Sequence, residues 1–153
     1  ALAYSVFSTY TLPKDTNTSH YLTSYIGTQA DKLSEAMAGM TELLDAMPEA
    51  ESNMINAKKA IEQKIRTERL TKSKVLSEYE KAQKLGVSHD VRKDLYDSVQ
   101  DFDMTSLKDF HNSHISNGTR VVMVLGSKED LDLEVLKQYG EIKHLTLEDV
   151  FGY

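Results

Sequence analysis

Hydrophobic and polar residues alternate along the first stretch of the chain, Leu2-Ala-Tyr-Ser-Val-Phe-Ser-Thr-Tyr10. A period of two is typical of a β-strand, because successive side chains point to opposite faces of the sheet. A second β-rich run, Tyr21-Leu-Thr-Ser-Tyr-Ile26, follows a loop rich in Pro, Asp, Thr and Asn. The two runs predict an antiparallel β-hairpin at residues 1–27.

The apolar spacing changes to steps of three and four after the hairpin, which predicts a layer of helices at residues 28–116. The first helix is predicted to begin at a capping box formed by Thr28 and Asp31. Its apolar stripe contains several methionines, typical of core filling rather than a ligand groove, and Pro48 ends it. Gly39 lies within this helix, where we expect it to permit close packing on the sheet.

The remaining helices are bounded by a phase break and by capping residues. The apolar line of the second helix fails at residues 67–71 and restarts out of phase, which predicts two helices meeting at an angle. Gly86 is expected to close the third helix from a C′ position. Ser88 or Asp90 is expected to open the fourth helix, and Thr105 the fifth.

The last part of the chain, residues 119–153, is predicted to contain closing strands and a short helix. The continuous apolar run Arg120-Val-Val-Met-Val-Leu125 is typical of a central strand. A short helix containing Leu131 precedes a last strand, Glu141-Ile-Lys-His-Leu145. The order of elements predicts one α+β domain, a mostly antiparallel sheet with helices layered on one face.

The amino-acid composition argues against several classes of function. The 153 residues carry a net charge of −6, whereas nucleic-acid-binding proteins usually have a basic excess. The absence of cysteine excludes disulfides, thiolate catalysis and Cys-ligated zinc. No apolar run approaches the roughly 18 residues that a membrane span needs, so we expect no membrane span.

The histidines do not form a recognisable metal motif. His111 and His114 are the only close pair, and their i, i+3 spacing places them on one helix face. Zinc would need a third ligand, and no H-x-x-E-H or H-E-x-x-H sequence occurs. We therefore expect no metal site, and a half-buried packing role for His114.

A cluster of positive charge lies in the middle of the chain. It consists of Lys58, Lys59, Lys64, Arg66, Arg69, Lys72 and Lys74, opposed only by Glu62 and Glu68. A solvated helical face with i, i+4 partners is the simpler interpretation of this run. A basic surface that attracts an acidic peptide or nucleic acid is the alternative, although no aromatic residues are interleaved for base stacking.

Several motifs, taken in order, resemble the pitrilysin/insulinase/processing-peptidase family of zinc metallopeptidases. They are Leu2-Ala-Tyr-Ser-Val, Gly27-Thr28 before a helix, Arg66-Thr-Glu-Arg-Leu at a helix bend, Phe110, Leu125-Gly126 and the terminal Phe151-Gly-Tyr153. The resemblance spans essentially the whole chain and is that of the later part of a zinc-free domain. It implies that the domain is incomplete at its N-terminus, and that a separate domain or subunit carries the H-x-x-E-H helix.

The resemblance also implies a role for one residue. Zinc-free domains of this family carry an Arg and a Tyr, seven apart, that reach the substrate carbonyl, and Tyr4 occupies the position of that Tyr. The corresponding Arg would precede Ala1. An ordinary strand aromatic is the equally weighted alternative for Tyr4. No catalytic residue, metal ligand or cofactor is assigned to the chain itself, and zinc is expected in the partner domain.

Two functions therefore stay open. In the first, the chain contributes the non-catalytic half of a substrate chamber for peptide hydrolysis, with a zinc-bearing peptidase domain and a peptide substrate as partners. In the second, it is a non-enzymatic structural or interaction module that keeps the fold. Unpaired strand edges favour a homodimer in either case. The resemblance further implies a bacterial envelope setting, and binding of nucleic acid is not expected.

Overall fold

The computed structural model describes residues 3–153, and within them the protein is an α+β fold. Seven helices accompany a two-stranded antiparallel sheet in this part of the chain. In chain order the elements are β1 (Ser5–Thr11), β2 (Tyr21–Gly27), α1 (Leu33–Asp45), α2 (Glu51–Thr67), α3 (Lys72–Lys84), α4 (Val91–Ser98), α5 (Met104–His111), α6 (Leu133–Lys137) and α7 (Leu147–Phe151).

The chain divides into two compact units. The first comprises the described residues up to Phe7 together with Tyr25–Glu42 and Thr119–Tyr153. The second comprises Ser8–Ser24 and Leu43–Gly118, and it therefore holds most of the helices.

The predicted hairpin is confirmed, although Leu2, the first residue of the predicted strand, lies outside the described residues. The amide of Tyr4 donates to the carbonyl of Gly27 at 2.7 Å, and the hydroxyls of Ser8 and Ser24 are 2.9 Å apart across the pair. In β2 every second side chain is half-buried, as the alternating sequence requires. In the connecting loop, Asp15 accepts a hydrogen bond from the amide of Asn17, an Asx turn that stabilises the reversal.

The first long helix begins later than the sequence predicts. A 3₁₀ turn at Ala30–Lys32 occupies the predicted first turn, with Gln29 as its N-cap, so α1 starts only at Leu33. Leu33 and Ala36 are the buried residues of α1. The helix ends at Asp45, before Pro48, as predicted.

Gly39 does not make the close contact that we expected of it. A Cβ placed on Gly39 would meet nothing within 4 Å. We expect Gly39→Ala to stabilise the protein by about 0.5–1 kcal/mol, because alanine has the higher helix propensity and restricts the unfolded chain. Thermal or urea unfolding would measure the change.

Gly86 is the control for Gly39, because its replacement by Ala should destabilise the protein rather than stabilise it. It has a φ of +72°, its amide donates to Gln83 O, and the amide of Val87 donates to Ala82 O, which is a Schellman motif. This confirms Gly86 as the C′ residue of α3. Gly86→Ala should destabilise by about 1–2 kcal/mol, since a side chain is strained in the left-handed region. A destabilised Gly39→Ala variant would contradict the open space at Gly39.

The predicted break between the second and third helices is confirmed. Helix α2 ends at Thr67, Glu68 adopts an extended conformation, and α3 begins at Lys72 after Thr71. The Thr67 hydroxyl donates to the carbonyl of Gln63 at 2.8 Å and so satisfies one terminal acceptor of α2.

The next two helices have side-chain caps at their N-termini. Asp90 accepts from the amide of Arg92 and caps α4, one of the two residues that the sequence favoured. Asp103 accepts from the amide of Ser106 at 2.8 Å and caps α5. The prediction that Thr105 opens α5 is therefore wrong, because the carboxylate of Asp103, two residues earlier, accepts the hydrogen bond from a free amide of the first turn.

The predicted closing strands do not form. Residues 120–125 and 141–145 have no regular secondary structure, and the sheet of the described residues contains only β1 and β2. A strand requires a neighbouring edge, and neither segment meets one. The predicted short helix forms as α6, but it begins at Leu133, so Leu131 precedes it. Helix α7 was not predicted. The sequence feature that could have predicted α7 is its capping box, in which Thr146 and Asp149 exchange hydrogen bonds.

Few side chains are buried. Among the described residues only four are classed so: Leu33, Ala36, Val99 and His111. The accessible surface is 12278 Å². A compact protein of this mass would expose about 7,800 Å², and two separately compact units of these sizes about 9,400 Å². The excess is larger than division into two units explains, and apolar side chains such as Val121, Met123 and Leu125 are almost fully exposed.

Candidate functional site

The residue singled out by the sequence, Tyr4, directly precedes β1 in the first unit. Its backbone is fixed by the hydrogen bond to Gly27, while its side chain is 73% exposed. A phenol on an ordered backbone can donate a hydrogen bond to a ligand oxygen. The geometry is therefore compatible with the binding role that the resemblance implies and also with an ordinary strand aromatic.

Two further aromatic residues of the hairpin, which the sequence did not single out, form a cross-strand pair. Phe7 and Tyr25 stack with their ring centroids 5.1 Å apart and their planes 19° from parallel. A Cβ placed on Gly27 would lie 3.0 Å from the hydroxyl of Tyr25, so Tyr25 folds over the glycine. The register between β1 and β2 brings these two rings together. The contact could be predicted only once the pairing of the two strands was known. The period-two alternation places Tyr4 and Phe7, three residues apart, on opposite faces, so this pair does not adjoin the Tyr4 side chain.

The prediction that His114 is half-buried is wrong, and His111 is the buried histidine of the close pair. His111 is buried and His114 is exposed, although the His114 ring lies 4.9 Å from the ring of Phe110. A wide π turn at Asn112–Ser116 follows α5. Such a turn alters the helical register, so His114 no longer continues the face that the i, i+3 rule assigns to it.

The structure gives zinc no ligand set among residues 3–153. No group of three or more His, Asp or Glu side chains in this range could hold a metal ion. These residues are therefore assigned no role as metal ligands. No helix among the described residues is both long and apolar enough to cross a membrane.

Some residues of the basic cluster have partners within the second unit. Lys58 donates to the carbonyl oxygens of Gln100 and Phe102, each at 2.6 Å, and so joins α2 to the loop before α5. Arg66 donates through Nε to the hydroxyl of Tyr96 at 3.0 Å. This hydroxyl contact raises the pKa of Arg66. The cluster is therefore partly structural, and its partners lie on distant segments rather than only at i, i+4.

Near Arg66, the Asp90 carboxylate is held by Arg92. Arg92 Nε lies 2.8 Å from one Asp90 oxygen and 3.1 Å from the other, and Glu68 is 4.0 Å from the same guanidinium. The hydrogen bonds from Arg92 lower the pKa of Asp90 to about 2. Both side chains remain accessible to water, so the pair contributes little to stability.

We expect the Asp90 carboxylate to titrate near pH 2 in an NMR pH titration. Because its folded pKa is depressed, its small stabilising contribution is present above about pH 3.9 and is lost as the pH falls from about 4 to 2. In Arg92→Gln the midpoint should rise toward about 3.9. Lys93→Gln is the matched control and should leave it unchanged. A wild-type midpoint near 3.9 would contradict the pairing.

Comparison with known proteins finds no match, neither to a protein-family model nor to a curated protein or solved structure.

Proposed function

We propose that the chain forms the non-catalytic half of a substrate chamber, with peptide hydrolysis carried out by a separate zinc-bearing domain or subunit. The observation that carries the proposal is the exposed Tyr4 side chain on an anchored backbone, at the position the family resemblance assigns to a substrate-binding tyrosine. The proposal includes a fold in which helices layer one face of a larger sheet, completed by strands that the described residues lack.

The proposed contribution of Tyr4 is electrostatic. A phenol hydroxyl that donates to the oxygen of the scissile carbonyl stabilises the negative charge that develops there during attack. The partner's zinc supplies the Lewis-acid chemistry when bound.

Activity reconstitution tests the proposed function. We expect the chain alone to hydrolyse no fluorogenic peptide. Addition of an H-x-x-E-H domain encoded in the same precursor or in a neighbouring reading frame should produce zinc-dependent hydrolysis. An H-x-x-E-H domain that is fully active without this chain, and unchanged by its addition, would reject a chamber role.

The second candidate function is a non-enzymatic interaction module, and the uncovered apolar surface favours it. Val121, Met123 and Leu125 are 91%, 84% and 100% exposed, so every second residue of this irregular segment faces water. The outer edges of β1 and β2 are likewise unpaired within the described sheet. Such segments attract a further strand.

Self-association tests whether this apolar segment is an interface, whereas only the hydrolysis assay separates the two functions. Antiparallel pairing of residues 120–125 with a second copy would place Met123 opposite itself and Arg120 opposite the uncharged Gly126, so it brings no like charges together. Light scattering should show a dimer that Met123→Lys weakens. A dilution-resistant monomer would count against the homodimer, and hydrolysis in the reconstituted mixture would favour the peptidase role.

A further inference from the structure

The second unit contains an open cleft whose ligand the proposed function does not specify. Its volume is about 430 Å³, and we call it the Arg66 cleft. Its lining includes Ile65, Arg66, Glu68, Leu70, Arg92 and Tyr96. The cleft forms where α2 ends and the chain turns into α3, beside the start of α4. Its size lies within the usual range for small-molecule or peptide side-chain sites, about 300–1,000 Å³.

The guanidinium of Arg66 is held in place by one aromatic residue. Its Nε donates to the hydroxyl of Tyr96, and its Cζ lies 5.6 Å from the centre of the same ring. This contact uses one of the five N–H donors of the guanidinium. Within residues 3–153, no ion pair joins a carboxylate to Arg66, although Glu62 is close enough to raise its pKa. The terminal amino groups of Arg66 can therefore serve a ligand.

The second guanidinium in the cleft is already neutralised. Arg92 is bound by Asp90 and approached by Glu68. Lys93 also lines the cleft, but it is paired with Asp97. The carboxylates of Asp90 and Glu68 therefore lie in the lining that an anion on Arg66 would meet. A dianionic phosphate would be repelled more strongly by them than a singly charged carboxylate, which favours the carboxylate as ligand.

Apolar side chains adjoin the available guanidinium. Ile65 and Leu70 line the same cleft as Arg66. A ligand that fills the site must therefore present a carboxylate and an apolar group a few ångströms apart. The C-terminal residue of a peptide carries both on one Cα atom, whereas an Asp or Glu side chain in mid-peptide carries only the carboxylate.

We propose that the Arg66 cleft binds the C-terminal carboxylate of a peptide whose last side chain is apolar. Arg66 forms the paired hydrogen bonds to the carboxylate, Tyr96 orients the guanidinium, and Ile65 and Leu70 contact the last side chain. The inference rests on the proposed handling of peptides, but its test requires no turnover. A failure of peptide binding at the Arg66 cleft can therefore be told apart from a failure of the hydrolysis to which Tyr4 is proposed to contribute.

The test uses the fluorescein-labelled peptide Ala-Gly-Ala-Gly-Leu in two forms, with a free C-terminal carboxylate and with a C-terminal amide. Fluorescence polarisation with the 153-residue chain should show binding of the free acid and at least tenfold weaker binding of the amide. Arg66→Met should weaken binding of the acid at least tenfold and remove the difference between the two forms. Arg69→Met, a basic residue that does not line the cleft, should stay within twofold of the wild type.

Tyr96→Phe separates positioning from packing. It keeps the ring under the guanidinium but removes the oxygen that accepts from Nε, so we expect about threefold weaker binding of the acid with an unchanged melting temperature. Equal affinity for acid and amide, or an unaffected Arg66→Met variant that retains its circular dichroism spectrum, would overturn the proposal. Displacement of the peptide by inorganic phosphate or an oligonucleotide at lower concentration than by N-acetyl-leucine would also overturn it.

Discussion

Replacing Tyr4 by Phe in the proposed assembly with a zinc-bearing domain is expected to lower kcat by about 10²–10³, the usual effect of removing one oxyanion donor. The variant keeps the ring and the backbone hydrogen bond to Gly27, so the hairpin should remain intact. Zinc content should not change, since Tyr4 is no ligand in the proposal. Turnover and bound zinc are measured on the same preparation.

Tyr21→Phe is the matched control for this experiment. Tyr21 is also an exposed tyrosine of the hairpin, but it belongs to the second unit, whereas Tyr4 belongs to the first. Its substitution should leave kcat within twofold of the wild type. Equal turnover of the Tyr4→Phe variant and the wild type would reject the oxyanion role and leave Tyr4 as an ordinary strand aromatic.

Truncating Val99 to Ala should destabilise the second unit by about 2–3 kcal/mol. Val99 directly follows α4 and is 0% exposed, so the change removes buried methyl groups and leaves a cavity. With so few buried side chains in this unit, there is little other core to compensate. Urea unfolding followed by circular dichroism would measure the loss.

Val91→Ala makes the same chemical change at the first residue of α4. Its side chain is 48% exposed, and surface substitutions usually change stability by less than about 0.5 kcal/mol. If the two variants unfold at the same urea concentration, Val99 is not the packing centre of the unit.

The sequence determined the features that depend on a few neighbouring residues. The hairpin, the break after Thr67 and the C′ role of Gly86 were each predictable. The reason is physical: alternation, capping and a left-handed glycine act within one or two turns of the chain. The same local logic placed Tyr4 in the first strand, whereas in the structure it directly precedes β1.

Only the tertiary structure decided which distant residues meet. Arg66 and Tyr96 are 30 positions apart, and Phe7 contacts Tyr25 through strand pairing. The apolar run at residues 120–125 has every local property of a strand, yet it stays irregular because a strand exists only where another edge accepts its hydrogen bonds. Local sequence sets the conformation that a segment prefers, whereas the partner that stabilises it is supplied by the rest of the fold.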